Sequence, residues 1–222
     1  MRVALYGATG MVGAGVLIEC LADPRITSVL CVGRKPSGVT HAKVRDVVRQ
    51  DLFDYSDIGD AFAGTDACFY CLGITSIGMD EASYSRVTVD LTVAAARALA
   101  KVNSGMSFCF VSGDGTDSSG AGRIMWARVK GRAENALFAM QFKTTAFRPG
   151  LIQPMKGVTS KTGWYNAFYA VFRPIYKVFG PLMGGFVTTT DSIGRAMIRI
   201  AHEGSEKKIL ANADINRIGR LT

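Results

Sequence analysis

Residues 1–15 read MRVALYGATGMVGAG, and this stretch decides the fold. Arg2 to Tyr6 has the length and apolarity of a short buried strand. Glycines then fall at Gly7, Gly10 and Gly13, and Val12, Val16, Leu17 and Leu21 recur at helical spacing. Strand, glycine turn and helix in that order are the context that gives such a glycine pattern meaning. Gly7 lets the chain turn sharply out of the strand, Gly10 leaves room for a pyrophosphate against the backbone, and Gly13 lets the helix sit close to the strand. The helix N-terminus adds unpaired N–H groups and a partial positive charge, which together predict binding of a dinucleotide pyrophosphate. The spacing is G-x-x-G-x-x-G rather than G-x-G-x-x-G.

The next informative junction follows the second predicted strand, Ser28 to Val32. In a dinucleotide fold this strand end meets the adenosine ribose, where an acid selects NAD and a base favours the 2′-phosphate of NADP. Here Gly33 is followed by Arg34 and Lys35, with no acid in place. Arg34 can fork onto a phosphate and Lys35 can add a point charge, so NADP(H) is expected over NAD(H).

Further strands are predicted at 43–49, 66–72 (DACFYCL), 106–111 (MSFCFV) and 143–147, with a last strand and short terminal helix within 208–218. Helices are predicted over about 57–62, from Asp80-Glu81 through Val102, over 122–140, and from Ser192 to His202 with Thr190 or Asp191 as N-cap. The alternation predicts an α/β, Rossmann-like doubly wound parallel sheet with helices on both faces. From Lys156 the character changes. The run 164–179, WYNAFYAVFRPIYKVF, is aromatic-rich, helical in period and broken at Pro174. It predicts a small helical C-terminal cap over 156–186 on the substrate side of a single NAD(P)-binding domain. An apolar or aromatic substrate end follows from such a cap; an oligomer surface or a membrane-surface helix are the other readings.

Composition narrows the class. With 222 residues, 48% of them hydrophobic, the chain can bury one α/β core. The chain enters its first strand at once, so no signal peptide is expected, and no apolar run approaches a membrane span. The five cysteines (Cys20, Cys31, Cys68, Cys71 and Cys109) are odd in number and sit mostly in strand-like runs. They predict reduced thiols and a cytoplasmic location. Cys68 and Cys71 form a CxxC, but on a strand they point to opposite faces, so neither metal nor redox chemistry is expected there. The net charge of +8 is scattered, which suits anionic ligands and predicts no nucleic-acid partner. His41 and His202 stand alone and read as surface or helix-end residues, and the methionines as core fillers. A small-molecule ligand and a monomer or homodimer are expected.

These residues resemble the short-chain dehydrogenase/reductase superfamily in its atypical NAD(P)-binding branch, near the Tat-interacting-type oxidoreductases and NAD-dependent epimerase/dehydratase-like proteins. The resemblance rests on GATGMVG at 7–13, the strand ends at Asp51-Leu52 and Cys71-Leu72-Gly73, Val111-Ser112, Lys130-Gly131-x-x-Glu134, and Phe147-Arg148-Pro149-Gly150. It implies that Gly7, Thr9, Gly10, Met11, Val12 and Gly13 line the pyrophosphate and that Arg34 and Lys35 hold the 2′-phosphate. It implies further that Asp51 and Leu52 flank the adenine and that Leu72 and Gly73 pack on its ribose. Lys130 then binds the nicotinamide ribose, with Pro149, Gly150 and Ile152 by the nicotinamide. Ser112 is the implied serine partner, with Thr116 and Ser118 also in its loop.

One position departs from the superfamily. Its catalytic tyrosine lies four residues before the lysine, where the ammonium lowers the phenol pKa. Here that residue is Trp126, whose indole N–H donates but does not exchange a proton usefully at neutral pH. Two readings follow. One is an NADP(H)-dependent oxidoreductase acting on a carbonyl or alcohol, with Ser112, Lys130 or a tyrosine from elsewhere (Tyr84, Tyr165 or Tyr169) supplying the proton. The other is a catalytically impaired NADP(H)-binding sensor or scaffold.

Overall fold

The computed structural model describes residues 1–56, 59–155 and 185–220. The aromatic run 164–179 and all of the 156–186 segment except Gly185 and Phe186 lie outside the described residues. So do Tyr165 and Tyr169.

Seven parallel strands form the main sheet: β1 (Arg2–Tyr6), β2 (Ser28–Gly33), β3 (Val44–Val48), β4 (Ala67–Tyr70), β5 (Ser107–Val111), β6 (Lys143–Arg148) and, at one edge, the strand Ile209–Ala211, in the order β3-β2-β1-β4-β5-β6 and then Ile209–Ala211. The order reverses direction at β1, between β2 and β4, and ligands bind outside the carboxyl ends of the strands at such a point. β7 (Leu151–Gln153) and β8 (Val187–Thr189) pair separately in parallel, so the edge strand is β9. The sequence does not announce β7 and β8, because three residues each are too few for a period.

The strands are apolar on both sides and split the core in two. In β1, Val3 and Leu5 face one layer while Ala4 and Tyr6 face the other. The first layer takes α1 (Met11–Ala22), α5 (Thr190–Glu203) and α6 (Asn212–Ile218) through Val16, Leu17, Ile193, Met197 and Ile215. The second takes α3 (Leu91–Ala100) and α4 (Met125–Phe138) through Leu91, Ala95, Leu99, Ala133 and Leu137, packed on Tyr70, Phe108 and Phe110. Helices therefore cover both faces, as a buried parallel sheet requires. Cys68 joins the second layer and Cys71 packs against the first, the opposed placement that strand geometry dictates.

Three local departures have physical causes. The long helix expected from residue 80 is α2 (Glu81–Ser85), a π-helical turn (Arg86–Asp90) and α3 in series. Asp80 caps its start by accepting the Ser83 N–H at 2.8 Å. A π turn inserts one residue without breaking helical hydrogen bonding, so hydrophobic periodicity barely registers it. Helix α4 begins at Met125, not near 122, because the Asp117 carboxylate takes the Ser119 and Gly122 N–H groups at 2.9 and 2.6 Å and holds the chain in turns. The N-cap of α5 is Thr189, whose hydroxyl accepts the Ser192 N–H at 3.2 Å; Thr190 and Asp191 are already inside the helix.

Candidate functional site

Three neighbouring cavities follow the carboxyl ends of the strands. The first, about 520 Å³, is lined by Gly7, Ala8, Thr9, Arg34, Lys35, Ser37, Gln50, Leu52 and Leu72 among others. The second, about 660 Å³, is lined by Gly10, Met11, Val12, Leu72, Gly73, Ile74, Thr75, Ser112, Asp114, Trp126, Lys130, Pro149, Gly150 and Ile152 among others. A third, about 310 Å³, lies between Arg34, Gln50, Asp51, Leu52, Phe53, Leu72, Val87 and Leu91. Leu72 is common to all three. The residues assigned from the sequence to the cofactor, with Ser112 and Trp126, all line one of them except Gly13; of the alternative proton donors and serine partners, Tyr84, Thr116 and Ser118 line none.

Gly13 supports the turn instead. A Cβ there would fall 2.1 Å from the Gly7 carbonyl oxygen, so only glycine lets α1 start this close to β1. Gly7 has φ +83°, and a Cβ on it would lie 2.7 Å from the Cys71 carbonyl. At Gly10 a Cβ would meet only the Gly7 oxygen, at 3.3 Å, which leaves the cavity side of that backbone open. No side chain caps α1 and no acid sits in its first turn. The N–H groups of Met11, Val12 and Gly13 have no carbonyl one turn back to pair with, so they suit an anion.

The loop that carries Arg34 and Lys35 is anchored from below. Asp46 of β3 accepts the Ser37 N–H and hydroxyl at 2.9 and 3.2 Å, and the Arg49 N–H donates to the Gly33 carbonyl at 2.9 Å. Both cations project into solvent at the rim of the first cavity. Asp51 lies on the far side, lining the third cavity with its carboxylate accepting the Phe53 N–H at 2.7 Å. Arg86 stacks over Phe53 with its guanidinium carbon 4.7 Å from the ring centre. The chemistry of this donor set fits an anionic nucleotide.

The second cavity holds the polar centre. Lys130 of α4 is buried, 9% exposed, and its ammonium donates to the Val111 carbonyl at 3.3 Å, 5.4 Å from the centre of the Phe110 ring. Burial pushes its pKa down to about 8, against the pull of the Glu134 carboxylate. A Cβ on Gly73 would lie 3.7 Å from that ammonium, so the glycine keeps the approach open.

Ser112 extends from the end of β5 towards α4. Its hydroxyl donates to Glu134 Oε1 at 2.5 Å, and its N–H to the Phe147 carbonyl at 2.8 Å. Glu134 is wholly buried and is gripped by Arg148, through Nε at 3.0 Å and through Nη2, which also donates to the Ser118 hydroxyl at 2.7 Å. The same loop packs on α4 at Gly131, where a Cβ would fall 1.7 Å from the Asp117 carbonyl oxygen. Thr116 turns its hydroxyl to the Gly113 carbonyl and is buried, so Thr116 and Ser118 are both spent on loop structure. The Trp126 ring lies over this loop, 3.5 Å from where a Cβ on Gly115 would be.

Tyr84 is the buried residue of α2 and lines none of these cavities. His41 accepts the Lys43 N–H at 3.0 Å in an exposed turn, and His202 lies in the last turn of α5. Asp114, Phe53 and Ile74 were not singled out in the sequence; loop aspartates and isolated apolar residues carry no signal until the fold brings them to a cavity. Of the helices among the described residues, none is long and apolar enough to cross a membrane.

Comparison with known proteins agrees with this geometry. Residues 7–163 match the family described as NAD(P)H-binding. The chain is 34% identical over 232 residues to the leucinostatins biosynthesis cluster protein T of Purpureocillium lilacinum, covering 89% of this chain and 83% of that protein. It is 30% identical over 235 residues to the mitochondrial protein fmp52 of Aspergillus fumigatus, covering 98% of each. Among solved structures, a short-chain dehydrogenase family protein from Francisella tularensis superposes with TM-score 0.63 at 14% identity, covering 95% of each chain. MoeE5, in complex with UDP-glucose and NAD, superposes with TM-score 0.65 at 16% identity, covering 94% of this chain and 74% of that one.

The relatives correct one expectation. Several fmp52 proteins, including those of Emericella nidulans and Eremothecium gossypii, are named as mitochondrial, which conflicts with a purely cytoplasmic location. The cytoplasmic expectation rested on the five cysteines, which are free, and free thiols do not single out the cytosol. The chain belongs to the NAD(P)H-binding family and is built on a Rossmann fold, as the short-chain dehydrogenase-like neighbours are.

Proposed function

We propose that the chain is an NADP(H)-dependent oxidoreductase that interconverts a small carbonyl compound and its alcohol. The observation that carries this reading is Lys130: a buried ammonium at the wall of the same cavity as the Gly10–Val12 turn, with one of its three donors used. When bound, NADPH supplies a hydride. The chain's own residues must then orient the carbonyl and give its oxygen a proton. Lys130 is assigned that proton as well as the nicotinamide ribose hydroxyls, and Ser112 orients the site as an acceptor. Trp126 fills the usual tyrosine position as a wall. Gly7, Thr9, Gly10, Met11 and Val12 are assigned to the pyrophosphate. Asp51, Leu52, Leu72 and Gly73 are assigned to the adenosine, and Pro149, Gly150 and Ile152 to the nicotinamide. Arg34 and Lys35, with no acid beside them, favour the 2′-phosphate and so NADP(H). Residues 156–186 are assigned, from sequence alone, to a substrate-side cap of one domain.

A second reading has its own support in Trp126: without an exchangeable phenol at that position, the chain binds NADP(H) as a sensor. NADPH oxidation across aldehydes, ketones and quinones separates the two. Turnover with any of them supports the reductase; tight NADPH binding without turnover on any supports the sensor.

A further inference from the structure

Asp114 lines the 660 Å³ cavity and has no part in the chemistry proposed above. Its loop is fixed to the end of β6. The Ser112 N–H donates to the Phe147 carbonyl at 2.8 Å, and the Asp114 N–H donates to the Pro149 carbonyl at 2.8 Å. The next residue, Gly150, is held in turn by α6, where the Asn212 side-chain oxygen accepts its N–H at 3.0 Å. A Cβ on Gly150 would lie 3.8 Å from the Asp114 Cβ, so the two residues stand side by side on the cavity wall. Among the described residues the exposed Asp114 carboxylate forms no ion pair and accepts only the Gly115 N–H, at 3.1 Å. Lys130 is the other charged residue lining this cavity, and its ammonium sits at the Val111 carbonyl, beside Gly73. The cavity therefore has an anion at Gly150 and a cation at Gly73.

We propose that Asp114 sets the balance between the two redox forms of the bound dinucleotide, its carboxylate favouring the oxidised form. The proposal rests on the assignment of Pro149, Gly150 and Ile152 to the nicotinamide, and it holds for a reductase and for a sensor alike. The two forms differ by one hydride. The reduced ring is neutral, the oxidised ring is a pyridinium of charge +1, and the phosphates are the same in both. An anion fixed beside Gly150 attracts one ring and not the other, while its repulsion of the phosphates cancels in the ratio of the two affinities. The charge on Lys130 pulls that ratio the other way, but it is common to the wild type and to every Asp114 variant, so it cancels in their comparison. Tighter binding of the oxidised form lowers the reduction potential of the bound couple, which makes the bound reduced form a better hydride donor.

The test is titration of the wild type, Asp114→Asn and Asp114→Glu with NADPH by fluorescence and with NADP⁺ by displacement of NADPH, repeated with NADH and NAD⁺. Asparagine keeps the acceptor for the Gly115 N–H and removes the charge; glutamate keeps the charge. The ratio of the NADPH to the NADP⁺ dissociation constant is expected to fall by about three- to fivefold in Asp114→Asn, the value of one unit charge a few ångströms away through water. At about 30 mV per tenfold change for a two-electron couple, the bound potential then rises by about 14–21 mV. Asp114→Glu is expected to keep the wild-type ratio. An unchanged ratio in Asp114→Asn overturns the proposal, and so does an equal change in both affinities, which is what a purely structural loop residue gives. A fall of the same size in Asp114→Glu overturns it too, because charge is then not the cause. If none of the four dinucleotides binds the wild type, the dinucleotide reading fails and the proposal with it. If they bind and the ratio does not move, that reading stands and the proposal alone fails.

Discussion

The Ser112 hydroxyl lies 2.5 Å from Glu134 Oε1, and this contact fixes the polarity of the site. Glu134 is wholly buried, is held by Arg148 and accepts the hydrogen bond from the serine hydroxyl. Ser112 is left with lone pairs alone to offer the cavity. The donor to a substrate oxygen must come from elsewhere, and Lys130 is the buried cation on the same wall.

Removing one partner from this buried pair leaves the other charged and unpaired. Glu134→Ala is expected to cost about 3–5 kcal/mol of stability, and Ser112→Ala about 1–3 kcal/mol, since it strands part of a buried carboxylate. Urea unfolding checks both. A Glu134→Ala variant as stable as the wild type would show that Arg148 does not depend on this carboxylate.

Lys130 gives the reaction a pH signature. Its pKa of about 8 means that the ammonium is present below that pH and lost above it. Carbonyl reduction is expected to fall as pH rises through about 8, and Lys130→Met is expected to lose activity together with that limb. The sign for stability is opposite. Between about 8 and the ordinary lysine value the unfolded chain binds the proton and the folded chain does not, so stability rises with pH there. Denaturant midpoints across that window, compared with Lys130→Met, check this; a wild-type rise no larger than the variant's contradicts the burial assigned to Lys130.

Trp126 occupies the place from which a phenol would serve Lys130. Trp126→Tyr is expected to raise kcat by about 10²-fold or more, the contribution of a positioned acid/base, provided the smaller ring still rests on the loop at Gly113 and Gly115. Steady-state kinetics with the best aldehyde measure it. An unchanged or lower kcat would mean that Lys130 alone already supplies the proton efficiently.

The turn at Gly13 admits no side chain. Gly13→Ala places a Cβ against the Gly7 carbonyl oxygen, at a distance no packing tolerates. The helix must move, and loss of about 1–3 kcal/mol in stability together with loss of cofactor affinity is expected. Thermal melts with and without NADPH report both; a variant that keeps the NADPH-induced shift would contradict the role given to this turn.

Much of this architecture was written in the chain. Glycine spacing after Tyr6, apolar runs at Ala67–Tyr70 and Ser107–Val111, and helical periods between them specify a sheet buried on both faces. The residues brought to the cavities are those at strand ends, and strand ends are readable wherever an apolar run stops. Long-range pairings were not readable. Nothing local to Ser112 announces Glu134 or Arg148, because those meetings depend on how β5, α4 and β6 pack. The start of α4 was misplaced because side-chain hydrogen bonds from Asp117 outweigh helical propensity over 118–124.

The proposed function has these cavities hold a nicotinamide dinucleotide bearing a 2′-phosphate. The most direct measurement is fluorescence titration with NADPH and NADH on the wild type and on Arg34→Ala. The prediction is tighter binding of NADPH by the wild type and a selective loss of NADPH affinity in the variant, about 1.5–3 kcal/mol for a charge-assisted contact. Equal affinities in the wild type, or equal losses for both cofactors in Arg34→Ala, would contradict it.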